Sequence, residues 1–137
     1  MGSCLVCTIG SHRCAIPIEH VIETMRPLPV DPVRSASELA RGASCIRGEV
    51  VPVVDLGALA FGAPSSGQRR FVTIRSGARV VALAVDAVEG IAELVPADIA
   101  EMPLLLEGGV IERIATVDDD LVHVLRAARL LTEAERT

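Results

Sequence analysis

Aromatic side chains are nearly absent, for the 137 residues hold two Phe and neither Tyr nor Trp. That removes the stacking platforms on which bases and sugar rings are usually read. Lysine is missing altogether. The 13 basic residues are all Arg, scattered among 18 acidic ones, so no basic stripe can follow a phosphate backbone and no nucleic-acid partner is expected. The lack of Lys beside abundant Ala and Arg points to a GC-rich genome rather than to a function. No apolar run reaches the roughly 20 residues that cross a bilayer, because Arg, Asp, Glu, Gly or Pro interrupts each one, and direct membrane insertion is not expected. The amino terminus carries no basic stretch followed by an apolar signal segment, which leads us to expect an unexported, cytoplasmic protein.

Catalytic patterns are equally scarce. There is no Gly-x-Ser-x-Gly elbow, no Cys–His signature and no zinc-type His-Glu-x-x-His, so no catalytic residue is assigned and no enzyme is expected. Of the three histidines, His12 falls in a Gly-Ser-His-Arg turn and reads as solvated, His20 lies in a link between strands, and His123 is expected to face outward from an edge strand. Gly108 and Gly109 precede a strand rather than a helix and do not make a phosphate cradle, so no cofactor is assigned. Asp118 to Asp120 lacks the rest of a calcium loop and reads as a solvated β-turn. Cys4 and Cys7 have the two-residue spacing of zinc knuckles and redox motifs, but on a strand, residues three apart point to opposite faces. Cys4, Cys7, Cys14 and Cys45 are therefore expected to be reduced, metal-free and mostly packed as small apolar side chains. A cysteine-based redox or metal protein remains as the competing reading.

What the chain does hold is apolar mass, half of all residues, in short runs bounded by Gly, Ser, Pro or Asp. Strands are expected at 4–9, 13–18, 21–25, 44–47, 49–55, 70–75, 79–86, 88–94, 110–117 and 120–125, a mostly β fold within one domain. An internal repeat supports this. At a shift of 67, residues 4–21 lie without a gap on residues 71–88, placing Gly10 on Gly77, Glu19 on Asp86 and Val21 on Val88. The match keeps strand parity, since Cys14, Ile16 and Ile18 fall on Val81, Leu83 and Val85. Further on, residues 50–55 lie on 121–126 at a shift of 71. The Gly-, Pro- and Ser-rich stretch 61–70 reads as a linker between approximate lobes 1–62 and 68–137. Short helices are expected from the Ser35–Glu38 capping box to Gly42, from Pro96 to Pro103, and from Ala127 to Arg136.

The most distinctive segment is CIRGEVVPVVDL at 45–56. Gly48 permits a tight reversal, Pro52 asks for an edge position, and Asp55 can cap the segment after it. With its Ile46, Arg47, Gly48, Val51, Pro52, Val53, Asp55 and Leu56, the segment resembles the hallmark of the CheW-like domain. AIPIEHVIET at 15–24, VALAVDAVEGI at 81–91 and LVHVLRAARLL at 121–131 extend the resemblance over nearly the whole chain. It departs from the family pattern where small Cys4, Cys7 and Cys14 stand for aromatic or larger apolar side chains, and where GASCIRG stands for the commoner Gly-Val-x-Asn-Leu-Arg-Gly; both should alter packing more than fold.

The resemblance implies a CheW-like fold of two pseudo-symmetric, five-stranded, barrel-like lobes with short helices. It also implies a non-enzymatic adaptor at receptor arrays beneath the inner membrane, with two partners: the regulatory domain of a CheA-type histidine kinase and the cytoplasmic tip of a methyl-accepting chemoreceptor. Carried over, the partner-binding residues are Val21, Glu23, Arg47, Gly48 and Val88. For Arg47 the plain alternative is a bridge to Asp55 or Glu49 across a turn. A single-partner interaction module or inhibitor of the same fold is the second reading of function.

Overall fold

Period-two alternation of Val, Ile and Leu fixes the strands, and two-residue turns join them into hairpins. The computed structural model describes residues 2–32, 40–63, 69–100 and 109–130. Ten strands follow one another: β1 (Ser3–Ile9), β2 (His12–Pro17), β3 (Val21–Met25), β4 (Ala40–Ile46), β5 (Glu49–Asp55), β6 (Arg70–Ser76), β7 (Arg79–Val85), β8 (Ala87–Glu93), β9 (Ile111–Val117) and β10 (Asp120–Leu125). One short helix, α1 (Leu56–Phe61), follows β5. Asp55 caps it as expected, its carboxylate accepting the Ala58 N–H at 3.1 Å.

All ten expected strands are present, the fourth starting earlier than its apolar residues suggest. Ala40, Arg41 and Gly42, expected to close a helix, belong to β4; the start of that helix, 35–39, lies outside the described residues. The helical stretch from Pro96 reduces to a 3-10 turn, Pro96–Asp98, with 101–103 outside the described residues. Residues 127–130 are helical, and 131–136 lie outside.

The strands form two five-stranded sheets, ordered β8-β1-β2-β10-β9 and β3-β6-β7-β5-β4. Exchanging each strand for its repeat counterpart, β1 for β6 through β5 for β10, turns one order into the other, so the sequence repeat is a pseudo-symmetry of the fold. The turns agree. Gly10 and Gly77 have φ of 57° and 63°, while Arg47 and Gly48 (54°, 79°) match Asp118 and Asp119 (52°, 66°). Isolated bridges also recur, Asp31 to Ala43 beside β4 and Ile99 to Ala115 beside β9.

The lobes, however, are not the two halves of the chain. One sheet is a single stretch, β3 to β7, and the other is built from the two ends, β1 and β2 with β8, β9 and β10. The division expected at 61–70 separates copies of the repeat rather than sheets, and 64–68 of that linker lie outside the described residues. The cause is that the β1–β2 hairpin is apolar on both faces. One face (Leu5, Cys7, Ile9, Cys14, Ile16) joins Val54, Val72, Ile74 and Leu83 of the other sheet in a shared core. The other face (Cys4, Ala15) needs Leu94, Ala115, Val122 and Val124. A third cluster, around Phe71, Val53 and Ala84, fills the β3–β7 lobe. The chain crosses between sheets at the 3-10 turn Ile18–His20 and again at Asp86.

Pro52 and His123 correct two expectations. Neither lies on an edge, for β5 runs between β4 and β7, and β10 between β2 and β9. Counting from the turn, Ala43 and Pro52 form a non-hydrogen-bonded pair, so the proline nitrogen faces β7, where pairing begins only at Val53–Ala82. The missing N–H falls where no ladder asks for it. His123 is half-buried, its Nδ1 lying 3.2 Å from the Arg13 carbonyl oxygen.

Candidate partner-binding surface

The β4–β5 hairpin turns on Arg47 and Gly48, both left-handed, a geometry that matches the twist of the flanking strands. It throws the Arg47 side chain away from its own hairpin. Neither Asp55 nor Glu49 receives it. Instead Nη2 donates to Glu23 Oε2 at 2.9 Å and to Oε1 at 3.1 Å, and Nε donates to Oε1 at 3.2 Å. Glu23 is on β3 and Arg47 closes β4, the first and last strands of one sheet, so the pair spans a sheet rolled almost upon itself. Hydrogen bonding to Glu23, then its charge, raises the Arg47 pKa.

Glu23 is held from below as well. The β3–β6 register slips between Val21 and Glu23, and the buried Thr73 hydroxyl fills the gap, accepting the Glu23 N–H and donating to the Glu23 carbonyl, each at 3.3 Å. Thr73 belongs to no sequence motif; a lone hydroxyl in the apolar run of β6 is the signal that could have found it.

The same slip divides the candidate residues into two groups. Glu23, Arg47 and Gly48 gather at the rolled edge. Val21 and Val88, at equivalent positions of the repeat, are both half-buried and pack against the shared core, at the seam between sheets. Beside Arg47, Val50 is 82% exposed and pairs across the hairpin with the exposed Cys45. Leu121, its repeat counterpart, is 60% exposed.

The cysteines and histidines make no second centre of this kind. Cys4 belongs to one cluster and Cys7 to another, as parity demands, but Cys7 and Cys14 face each other across the β1–β2 pair. The parity that separates Cys4 from Cys7 therefore does not keep every sulfur apart, since cross-strand register sets Cys7 beside Cys14. Burial pushes the Cys7 and Cys14 thiols up to about 12. All four are free thiols. Among the described residues, no three His, Cys, Asp or Glu side chains converge as a metal site would require. His12 is exposed in its turn as expected, though its ring stacks on Phe61 with centroids 3.9 Å apart. No helix of the described residues is long and apolar enough to cross a membrane.

Comparison with known proteins agrees with this geometry. The chain is 29% identical to Protein FrzA of Myxococcus xanthus over 137 residues, covering 93% of this chain and 84% of that one. The scaffolding protein TtCheW from Thermoanaerobacter tengcongensis superposes with a TM-score of 0.80 at 22% identity, covering 91% of this chain and 88% of the other. The family model described as CheW-like domain matches residues 3–135. From the first strand to beyond the last, then, this chain belongs to the CheW-like domain family, whose members are non-enzymatic scaffold and adaptor proteins of chemotaxis-like signalling.

Proposed function

We propose that the protein couples the cytoplasmic tip of a methyl-accepting chemoreceptor to the regulatory domain of a CheA-type histidine kinase, within receptor arrays beneath the inner membrane. The observation that carries this reading is the seam, where Val21 and Val88 reach the surface from the shared core at two repeat-related positions. An amphipathic helical hairpin presents apolar anchors at helical spacing, and half-buried valines that reach the surface from the core shared by two sheets are suitable receivers for such anchors. The rolled edge is a separate surface. Val50, Cys45 and the Arg47 turn offer a small apolar tip beside a fixed ion pair, suited to the kinase domain. Action would be geometric, because fixing one partner against the other shifts the kinase equilibrium only through differential contacts in its two states.

Titration of a receptor-tip fragment and a kinase regulatory domain tests this. Val21→Asp should weaken receptor binding by more than about 1 kcal/mol, the scale of one buried anchor, while leaving kinase binding intact. Binding of one partner only would make the chain a single-partner module or inhibitor. Melting curves recorded alongside separate lost contact from lost fold.

A further inference from the structure

Next to Val88 the seam opens into a depression of about 810 Å³ whose wall holds Arg26, Arg69 and Arg70. All three are exposed, and none makes an ion pair with a described residue. Their placement follows from register. Met25 pairs with Phe71 at the end of the β3–β6 ladder, and the residues that flank this pair along the chain, Arg26 and Arg70, both line the depression. Among the described residues that line the depression the one carboxylate is Asp86, and it is turned to another task, its Oδ2 accepting the Gly10 N–H at 2.6 Å. On a chain of formal charge −5, three arginines against one engaged aspartate make a local reversal of sign.

We infer that Arg26, Arg69 and Arg70 form a cationic rim that recognises an acidic flank on the helix seated at Val88, so that the receptor segment fitting this protein carries a cluster of carboxylates beside its apolar stripe. This rests on the receptor reading of the seam. Guanidinium groups suit the role, since each meets a carboxylate in a two-pronged geometry that an ammonium cannot reproduce. The rim would set orientation and rate of encounter more than depth of burial, because exposed charges steer association and are screened by salt.

The test titrates the full-length protein and two triple variants, Arg26→Gln/Arg69→Gln/Arg70→Gln and Arg26→Lys/Arg69→Lys/Arg70→Lys, against the receptor-tip fragment and the kinase domain, with Val21→Asp as reference. In low salt the glutamine triple should lose about tenfold or more in receptor affinity, the lysine triple no more than about threefold, and the difference should collapse in high salt. Kinase affinity should not move. If the glutamine triple binds the receptor within about twofold of the parent while Val21→Asp fails to bind, the rim is refuted and the seam survives. Equal losses toward receptor and kinase would also overturn the rim, as a general charge effect. If the parent itself does not bind the tip, both the seam and the rim fall.

Discussion

Glu23 and Arg47 stand at opposite ends of the strand order β3-β6-β7-β5-β4, yet their side chains meet at 2.9 Å. The contact is possible only because the sheet is rolled, with Asp31 exchanging backbone hydrogen bonds of 2.8 and 3.0 Å with Ala43 to bring the segment after β3 against β4. An exposed pair of this kind contributes little to stability. Its effect is positional, since it fixes the turn that carries Arg47 and Gly48 relative to β3.

Arg47→Ala and Glu23→Gln should therefore leave Tm nearly unchanged while loosening the ternary complex of receptor, adaptor and kinase. The exchanged variant Glu23→Arg/Arg47→Glu discriminates two roles. Recovery of the complex means that the pair acts by holding the turn; failure to recover means that the partner reads the individual charges. Co-sedimentation with receptor and kinase provides the measurement.

Gly42 should tolerate nothing larger. Its φ is +143°, and a Cβ built there would meet the Asp31 carbonyl oxygen at 2.1 Å, inside the bridge that closes the lobe. Gly42→Ala should cost about 2–4 kcal/mol in urea unfolding, combining overpacking with backbone strain. Gly48→Ala has open space around it, and should cost only about 1–2 kcal/mol for its left-handed φ of +79°. Equal costs at the two glycines would refute the closure.

The buried thiols give a pH signature. Cys7 and Cys14 titrate near 12 in the folded protein against an ordinary 9.0, so above pH 9 the unfolded chain loses protons that the folded one keeps. Stability should be fully present below pH 9 and fall as pH rises toward 12, by on the order of 1 kcal/mol per pH unit for each thiol. Cys7→Ala/Cys14→Ala should flatten that alkaline slope, whatever its cost at neutral pH. A thiol reagent added to the native protein should label the exposed Cys45 first, the buried cysteines reacting only on unfolding.

Strands and cores were legible because each depends on local alternation, which residues 4–21 and 71–88 repeat with parity intact. Which strands share a sheet was not. Parity places Cys14 and Ile16 on one face but does not name their neighbours, and the parallel pairing of β2 with β10 joins residues more than a hundred positions apart. For the same reason Pro52 and His123 resemble edge residues in the sequence, a fair inference from a missing donor and a polar side chain, but blind to a ladder that begins one residue later. The Arg47 partner escaped because proximity in sequence favours Glu49 and Asp55, whereas the rolled sheet delivers Glu23. Arg26, Arg69 and Arg70 are merely scattered in the sequence, and only the fold brings them to the wall of one depression.

The insertion of one sheet into the other has a consequence for synthesis. As the chain leaves the ribosome, strands β3 to β7 have all emerged by Val85 and can close their own lobe, while the earlier-made β1–β2 hairpin still waits for β8 and β10. Ser3 finds Glu93, ninety positions further along the chain, only once that residue has been made. During that interval the outer face of the hairpin, with Cys4 and Ala15, has no cover. The β1–β2 hairpin, made before the lobe of β3 to β7, is thus fully protected only after it, and it is there that a chaperone holding the emerging polypeptide would be engaged longest.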